Sequence, residues 1–145
     1  MAVTYDKIAY DEIELGLRKI INDEFKNVYI GNEFEMKGTE CIRINLESSS
    51  TIQQATNFEE RDYNVMIRYY HMADTNNEVI NKSVKANVDR LRKHLLDNQT
   101  SSTYNWAELQ VQAIEYNVQD DENEENDRLH ITEFGVSIIH HNGIS

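Results

Sequence analysis

The sequence predicts an α+β fold, with a mostly antiparallel sheet packed against two helices and a long C-terminal β-hairpin. Two stretches repeat apolar residues at helical spacing, and several others alternate apolar with polar residues. Their order is helix, strands, helix, strands, with no internal repeat and no domain linker between them. The 145 residues are therefore expected to form a single domain, 1–145. A chain of that length can bury roughly 70% of its unfolded surface.

The first helix is predicted from Asp6 to Phe25, with Ile13, Leu17, Ile20, Ile21 and Phe25 as its apolar stripe and Asp6 as its cap. Alternation follows. Val28 and Ile30 oppose Asn27 and Tyr29, and Phe34 and Met36 oppose Glu33 and Glu35, with Gly31-Asn32 as a two-residue turn between the pairs. Ile42, Ile44 and Leu46 oppose Cys41, Arg43 and Asn45. The polar run from Ser48 to Glu60 reads as an exposed loop. In the next strand Tyr63, Val65, Ile67 and Tyr69 share one face. The other face (Asn64, Met66, Arg68, Tyr70) is apolar enough to be partly covered, which predicts a central strand.

Thr75 and Glu78 form a capping box for a second helix that runs to about Asp97. Ile80, Val84, Val88, Leu91 and Leu95 make its buried stripe. Lys82, Lys85, Arg90, Arg92, Lys93 and His94 give it a basic outer face. That face is either simply solvated or a docking surface for an acidic partner or another subunit.

The closing hairpin is the most informative stretch. Leu109 and Val111 alternate in one phase, and Ile114, Tyr116 and Val118 in the other. After an acidic segment, Leu129 and Ile131 take one phase, and Phe134, Val136 and Ile138 the other. An antiparallel register pairing Leu109 with Val136, Val111 with Phe134, Ile114 with Ile131 and Tyr116 with Leu129 matches every apolar pair. Both strands would then switch face. The outer apolar patch (Ile114, Tyr116, Leu129, Ile131) is expected to face either a bulge-twisted, two-sided core or a neighbouring subunit. The turn falls in the acidic tip that contains Asp120, Asp121, Glu122, Glu124, Glu125 and Asp127.

Composition narrows the function. A formal net charge of −12 argues against a grip on nucleic acid, which needs basic surface. It fits solubility, a wall that lets DNA slide past, or an imitation of DNA offered to a basic partner. Cys41 is the single cysteine, so neither an intrachain disulfide nor a cysteine-based zinc site is available. No apolar run is long enough for a membrane helix, and Met1–Asp6 lacks the layout of a signal peptide, so an intracellular protein is expected. Phosphate-binding, nucleophile-elbow and metalloprotease motifs are missing. A calcium loop starting at Asp121 would have Asn126 where glycine belongs and Thr132 where the bidentate carboxylate belongs. His140 and His141, as strand neighbours, point to opposite faces, and surface histidines are expected, His71 beside Asp74 included. The carboxylates lie mostly in polar segments where nothing desolvates them. No enzyme, cofactor or metal is expected.

The order of these elements supports a family comparison. An amphipathic helix leads into Val28-Tyr29-Ile30 and Cys41 to Leu46, then a tyrosine-rich strand, Tyr63 to Tyr70. A second helix ends Arg90-Leu91-Arg92-Lys93-His94-Leu95-Leu96, and a hairpin runs from Trp106 to Phe134-Gly135-Val136-Ser137-Ile138-Ile139. Over nearly its whole length the chain resembles the tail-terminator and head–tail completion (neck) proteins of tailed bacteriophages, the group that includes the lambda tail terminator. The resemblance implies a virion subunit, assembled in the host cytoplasm, that forms a typically hexameric ring at the junction of tail tube and neck. Such a homo-oligomer stops tube growth, docks the head connector and encloses a channel through which DNA passes without specific binding. The acidic hairpin tip has no counterpart in that pattern. The tip and the Ser48–Glu60 stretch are candidate lumen or docking elements. The alternatives are an acidic DNA-mimic inhibitor, with carboxylates along one extended face, a small enzyme with a desolvated acid or histidine in a deep pocket, or another connector or baseplate subunit of the same fold.

Overall fold

In the computed structural model, which describes residues 7–31, 40–73, 78–120 and 128–143, the sheet is carried by strands of unequal length. The chain runs through a π-helical segment (Ile8–Glu14), α1 (Leu15–Asn22), β1 (Val28–Ile30), β2 (Glu40–Ala55), β3 (Phe58–Ala73), α2 (Glu78–Asp97), β4 (Trp106–Asp120) and β5 (Arg128–Gly143). The strands form one sheet in the order β1-β2-β3-β5-β4. Pairing is antiparallel throughout except between β1 and β2, which run parallel with Val28 beside Ile42. The α+β architecture with a C-terminal hairpin is as the sequence predicts, and β3 is the central strand.

Both helices cover the same sheet face. Ile13, Leu17 and Ile21 from the N-terminal helical segment and Val84, Val88, Leu91 and Leu95 from α2 form one core with the strand residues beneath. Those are Ile42 and Ile44 of β2, Tyr63, Val65, Ile67 and Tyr69 of β3, Leu109 of β4, and Phe134, Val136 and Ile138 of β5. Each such aliphatic side chain contributes about 1.5–3 kcal/mol by leaving water. The two helices are tied by polar contacts at their ends. His94 Nε2 donates to the Ile20 carbonyl at 2.7 Å, and Arg90 donates to the Glu24 carbonyl at 3.2 Å while stacking over the Phe25 ring at 4.2 Å. Basic groups here satisfy carbonyls that a helix C-terminus leaves open.

Several sequence expectations are corrected. The first helix is wound in two ways. Its opening half is π-helical, with the Leu15 amide reaching back to the Tyr10 carbonyl. The apolar spacing is compatible with either winding, so it could not distinguish them. The Ser48–Glu60 loop is instead the outer half of the β2–β3 hairpin, turning at Thr56-Asn57. Both of its faces are polar, so alternation was invisible, and side chains stitch the ribbon. Arg61 donates to Thr51 Oγ1 and Ser49 Oγ, each at 2.9 Å, and Asn64 donates to Ser48 Oγ at 3.3 Å. β1 lies parallel to β2 and Gly31 donates its amide to Ile44, while Asn32, the second residue of the expected turn, lies outside the described residues. Phe34 and Met36 lie outside the described residues, as do the expected caps Asp6 and Thr75.

The buried tyrosines set an alkaline limit. Burial pushes the phenols of Tyr63, Tyr69 and Tyr70 above their usual value, and for Tyr69 the Glu40 carboxylate that accepts its hydroxyl at 2.6 Å adds to the effect. A tyrosine whose folded pKa is raised keeps its proton while the unfolded chain loses it, so its stabilisation is complete below the unfolded value of about 10 and falls as pH rises beyond it. Denaturant unfolding should show stability declining above about pH 10, by up to about 1.4 kcal/mol per pH unit for each such residue. Tyr69→Phe should make that decline shallower.

Candidate functional site

The C-terminal hairpin carries the surface singled out by the sequence, but in a different register. The structure pairs Leu109 with Ile138 and Val111 with Val136, then Ile114 with Phe134, Tyr116 with Thr132 and Val118 with His130. Gln112 is an extra residue in β4, a bulge between Val111 and Ala113. It resets the phase, so that Leu109, Val111, Ile114, Tyr116 and Val118 all occupy the helix-side face. β5 does not switch at all. Its even-numbered residues from His130 to His140 stay buried along one face. Leu129 and Ile131 therefore lie on the opposite face of the sheet, half-buried, and the four residues expected to form one patch are split between two faces. Apolar pairing favoured a different register because it cannot see a bulge.

What the hairpin does present is Tyr116 and Val118, 49% and 42% exposed, beyond the point where Ile114 packs on the core. They border a cavity of about 130 Å³ between the ribbon and the start of α2, with Asn81, Val84 and Lys85 on the helix side and the buried His130 and Thr132 at its floor. At the other end of the sheet, β2 from Glu47 to Ala55 and the Thr56-Asn57 turn are exposed along their whole length, and Ile52 stands out at 48%. The long strands outrun the helices, so the sheet is left uncovered towards both of its ends, where β3 and β5 remain paired from Phe58 beside Gly143 to Ala73 beside Arg128.

The basic face of α2 is only partly free. Lys82, Lys85 and Arg92 are exposed, with Lys85 on the cavity rim. Arg90 is engaged with Phe25 and Glu24, Lys93 pairs with Asp97 at 2.7 Å, and His94 belongs to the α1 contact. Of the acidic tip, Asp120 ends β4, while Asp121, Glu122, Glu124, Glu125 and Asp127 lie outside the described residues, with most of the calcium-like run.

The histidines depart from expectation. His130 and His140 are buried in phase with Phe134, Val136 and Ile138. His140 Nε2 meets Glu12 Oε2 at 2.6 Å, Asn105 Nδ2 donates to Glu12 Oε1 at 2.9 Å, and Trp106 Nε1 donates to the Glu12 carbonyl at 2.7 Å. Asn105 has φ +60°, a left-handed conformation that asparagine tolerates. Trp106 and Tyr104 press so closely on Gly16 that a Cβ there would meet them at 3.2 and 3.0 Å. Together these contacts clamp the N-terminal helical segment to the start of β4 and the end of β5. The period-two phase of His130 and His140 with the apolar residues of β5 was the available signal for their burial. His141 is exposed and pairs with Glu60 at 2.6 Å, so the adjacent histidines do point to opposite faces. His71 lies between the Tyr69 and His130 rings, each 6.4 Å away, and Asp74 is outside the described residues. Among the carboxylates, Glu14 is raised by burial, against a lowering hydrogen bond from the Leu46 backbone.

No protein-family model and no curated protein matches this chain. Among solved structures, it is similar to a chain described as "Virion of native gene transfer agent (GTA) particle", with a TM-score of 0.47 and 11% identity over 91% of each chain.

Proposed function

We propose that this chain is a structural subunit of a tailed-phage-type virion that assembles as a ring at the neck, where the tail tube ends and the head connector begins. The observation that carries the reading is the pair of sheet ends that strands of 15 and 16 residues carry past the helices, with Ile52 in water at one end and Tyr116 and Val118 at the other. Exposed apolar groups on rigid elements mark surfaces made for contact. The resemblance of the sequence to tail-terminator proteins supplies the partners: copies of the same chain, the tube on one side and the connector on the other. A net charge of −12 suits a channel wall past which DNA must move without sticking. On this reading the protein works by fit, with no reaction and no cofactor.

Native mass spectrometry at rising concentration should show one closed oligomer, of six copies on the family pattern. The chain added to growing tail tubes should fix their length. A chain that stays monomeric both alone and with tubes, and leaves tube length unaffected, would sink the proposal.

A further inference from the structure

Among the described residues, the large apolar side chains left exposed are Tyr10, Ile52, Val79, Tyr116 and Val118. Tyr116 and Val118 border the cavity beside α2. Ile52 sits elsewhere, on the β2–β3 ribbon. It is the extra residue of a β2 bulge, between Thr51, which pairs with Arg61, and Gln53, which pairs with Glu60. A bulge re-aims its side chain and is a maintained feature of a strand rather than a flaw.

The β2 side of the ribbon around Ile52 is uncharged, and on the β3 side Glu59 is paired with Arg61 and Glu60 with His141. Ser48 through Asn57 carries no ionisable side chain in a chain of net charge −12. Copies of so acidic a chain adhere only where like charges stay apart, and this arm is such a surface. The cavity rim offers the opposite of repulsion, since Lys85 lies on it and Lys82 is one turn earlier on α2. Knob and cavity cannot meet within one molecule. Tyr116 is level with Tyr69 through Thr132, whereas Ile52 is level with Glu60 and Arg61. That offset along rigid strands is roughly 30 Å at the usual rise per residue. A contact between unlike patches of successive copies is heterologous, and it closes into a ring when its rotation fits.

We infer that the bulged Ile52 of one copy seats in the cavity beside Tyr116 and Val118 of the next copy, with the polar arm lying along the Lys85 rim. This rests on the ring reading above and names its contact.

The test uses two full-length variants, Ile52→Asp and Tyr116→Asp/Val118→Asp, with circular dichroism and thermal unfolding as controls, because all three side chains are exposed. Each variant alone should be monomeric where the wild type is oligomeric, with association weakened about tenfold or more. Mixed one to one, the variants should form heterodimers and nothing larger, because only one intact arm and one intact cavity can meet. Unchanged oligomers in either variant would overturn the contact and leave the ring reading standing. Two monomeric variants that fail to pair when mixed would overturn it as well, since the contact would then join like patches. A wild type that never assembles, alone or on tail tubes, would overturn both.

Discussion

Deleting Gln112 should leave every other cross-strand pair of the C-terminal hairpin in place and the protein within about 1 kcal/mol of wild type, although losing one residue from inside a strand ordinarily reverses the faces of half of it. Gln112 is the extra residue that the bulge accommodates: Val111 lies opposite Val136, Ala113 opposite Gly135 and Ile114 opposite Phe134. Without Gln112 those three follow one another in regular alternation, so Leu109, Val111, Ile114, Tyr116 and Val118 stay on the helix-side face. Chemical denaturation of the deletion variant beside Gln112→Ala is the measurement. The alanine variant retains the bulge and should remain within about 0.5 kcal/mol of wild type. A loss on the order of 3 kcal/mol or more in the deletion variant alone would show that the local twist of the bulge is itself needed to seat β4 on the core.

Trp106→Ala should cost about 3–5 kcal/mol, the range for truncating a large buried aromatic side chain. Trp106 is 3% exposed, fills the space that Gly16 leaves open, and donates to the Glu12 carbonyl. Its removal leaves a cavity and takes away a partner from a carbonyl inside the π-helical segment. Hydrogen exchange should therefore rise first in Ile8–Asn22, ahead of β3 and β5. Trp106→Phe, which keeps much of the volume but not the donor, should fall between wild type and alanine. Uniform loss of protection across the sheet in the alanine variant would mean that the clamp is not local.

What the sequence disclosed depended on contrast. Ile42, Ile44 and Leu46, or Tyr63 to Tyr69, sit between polar neighbours on a half-buried sheet, so their strands were plain. Ser48 to Ala55 has no such contrast, because both faces of that ribbon are wet, and a strand held by hydroxyls and an arginine looks like a loop. The hairpin was found but not its register, because matching apolar residues favours a bulge-free ladder and Gln112 breaks the ladder. His130 and Thr132 continue a core face that Phe134 begins, and their polarity disguised it as a change of side. That substitution is also why the proposed patch came out divided, with Tyr116 on one face and Ile131 on the other. Tyr116 and Lys85, both named from sequence, do border one cavity. Their meeting depends on where α2 lies across the sheet, which no local pattern encodes.

The strand order has a consequence for synthesis. β5, last of the five strands in chain order, lies between β3 and β4, and its His140 secures Glu12 from the opening helical segment. A nascent chain still on the ribosome thus holds β3 with one flank unpaired and Glu12 without its histidine partner until β5 has emerged, and pairing so distant in sequence is slow to form. An incompletely translated copy cannot present a finished cavity beside β4, because the floor of that cavity, His130 and Thr132, belongs to β5. Under the proposed contact between copies, joining too early would then be prevented by topology alone.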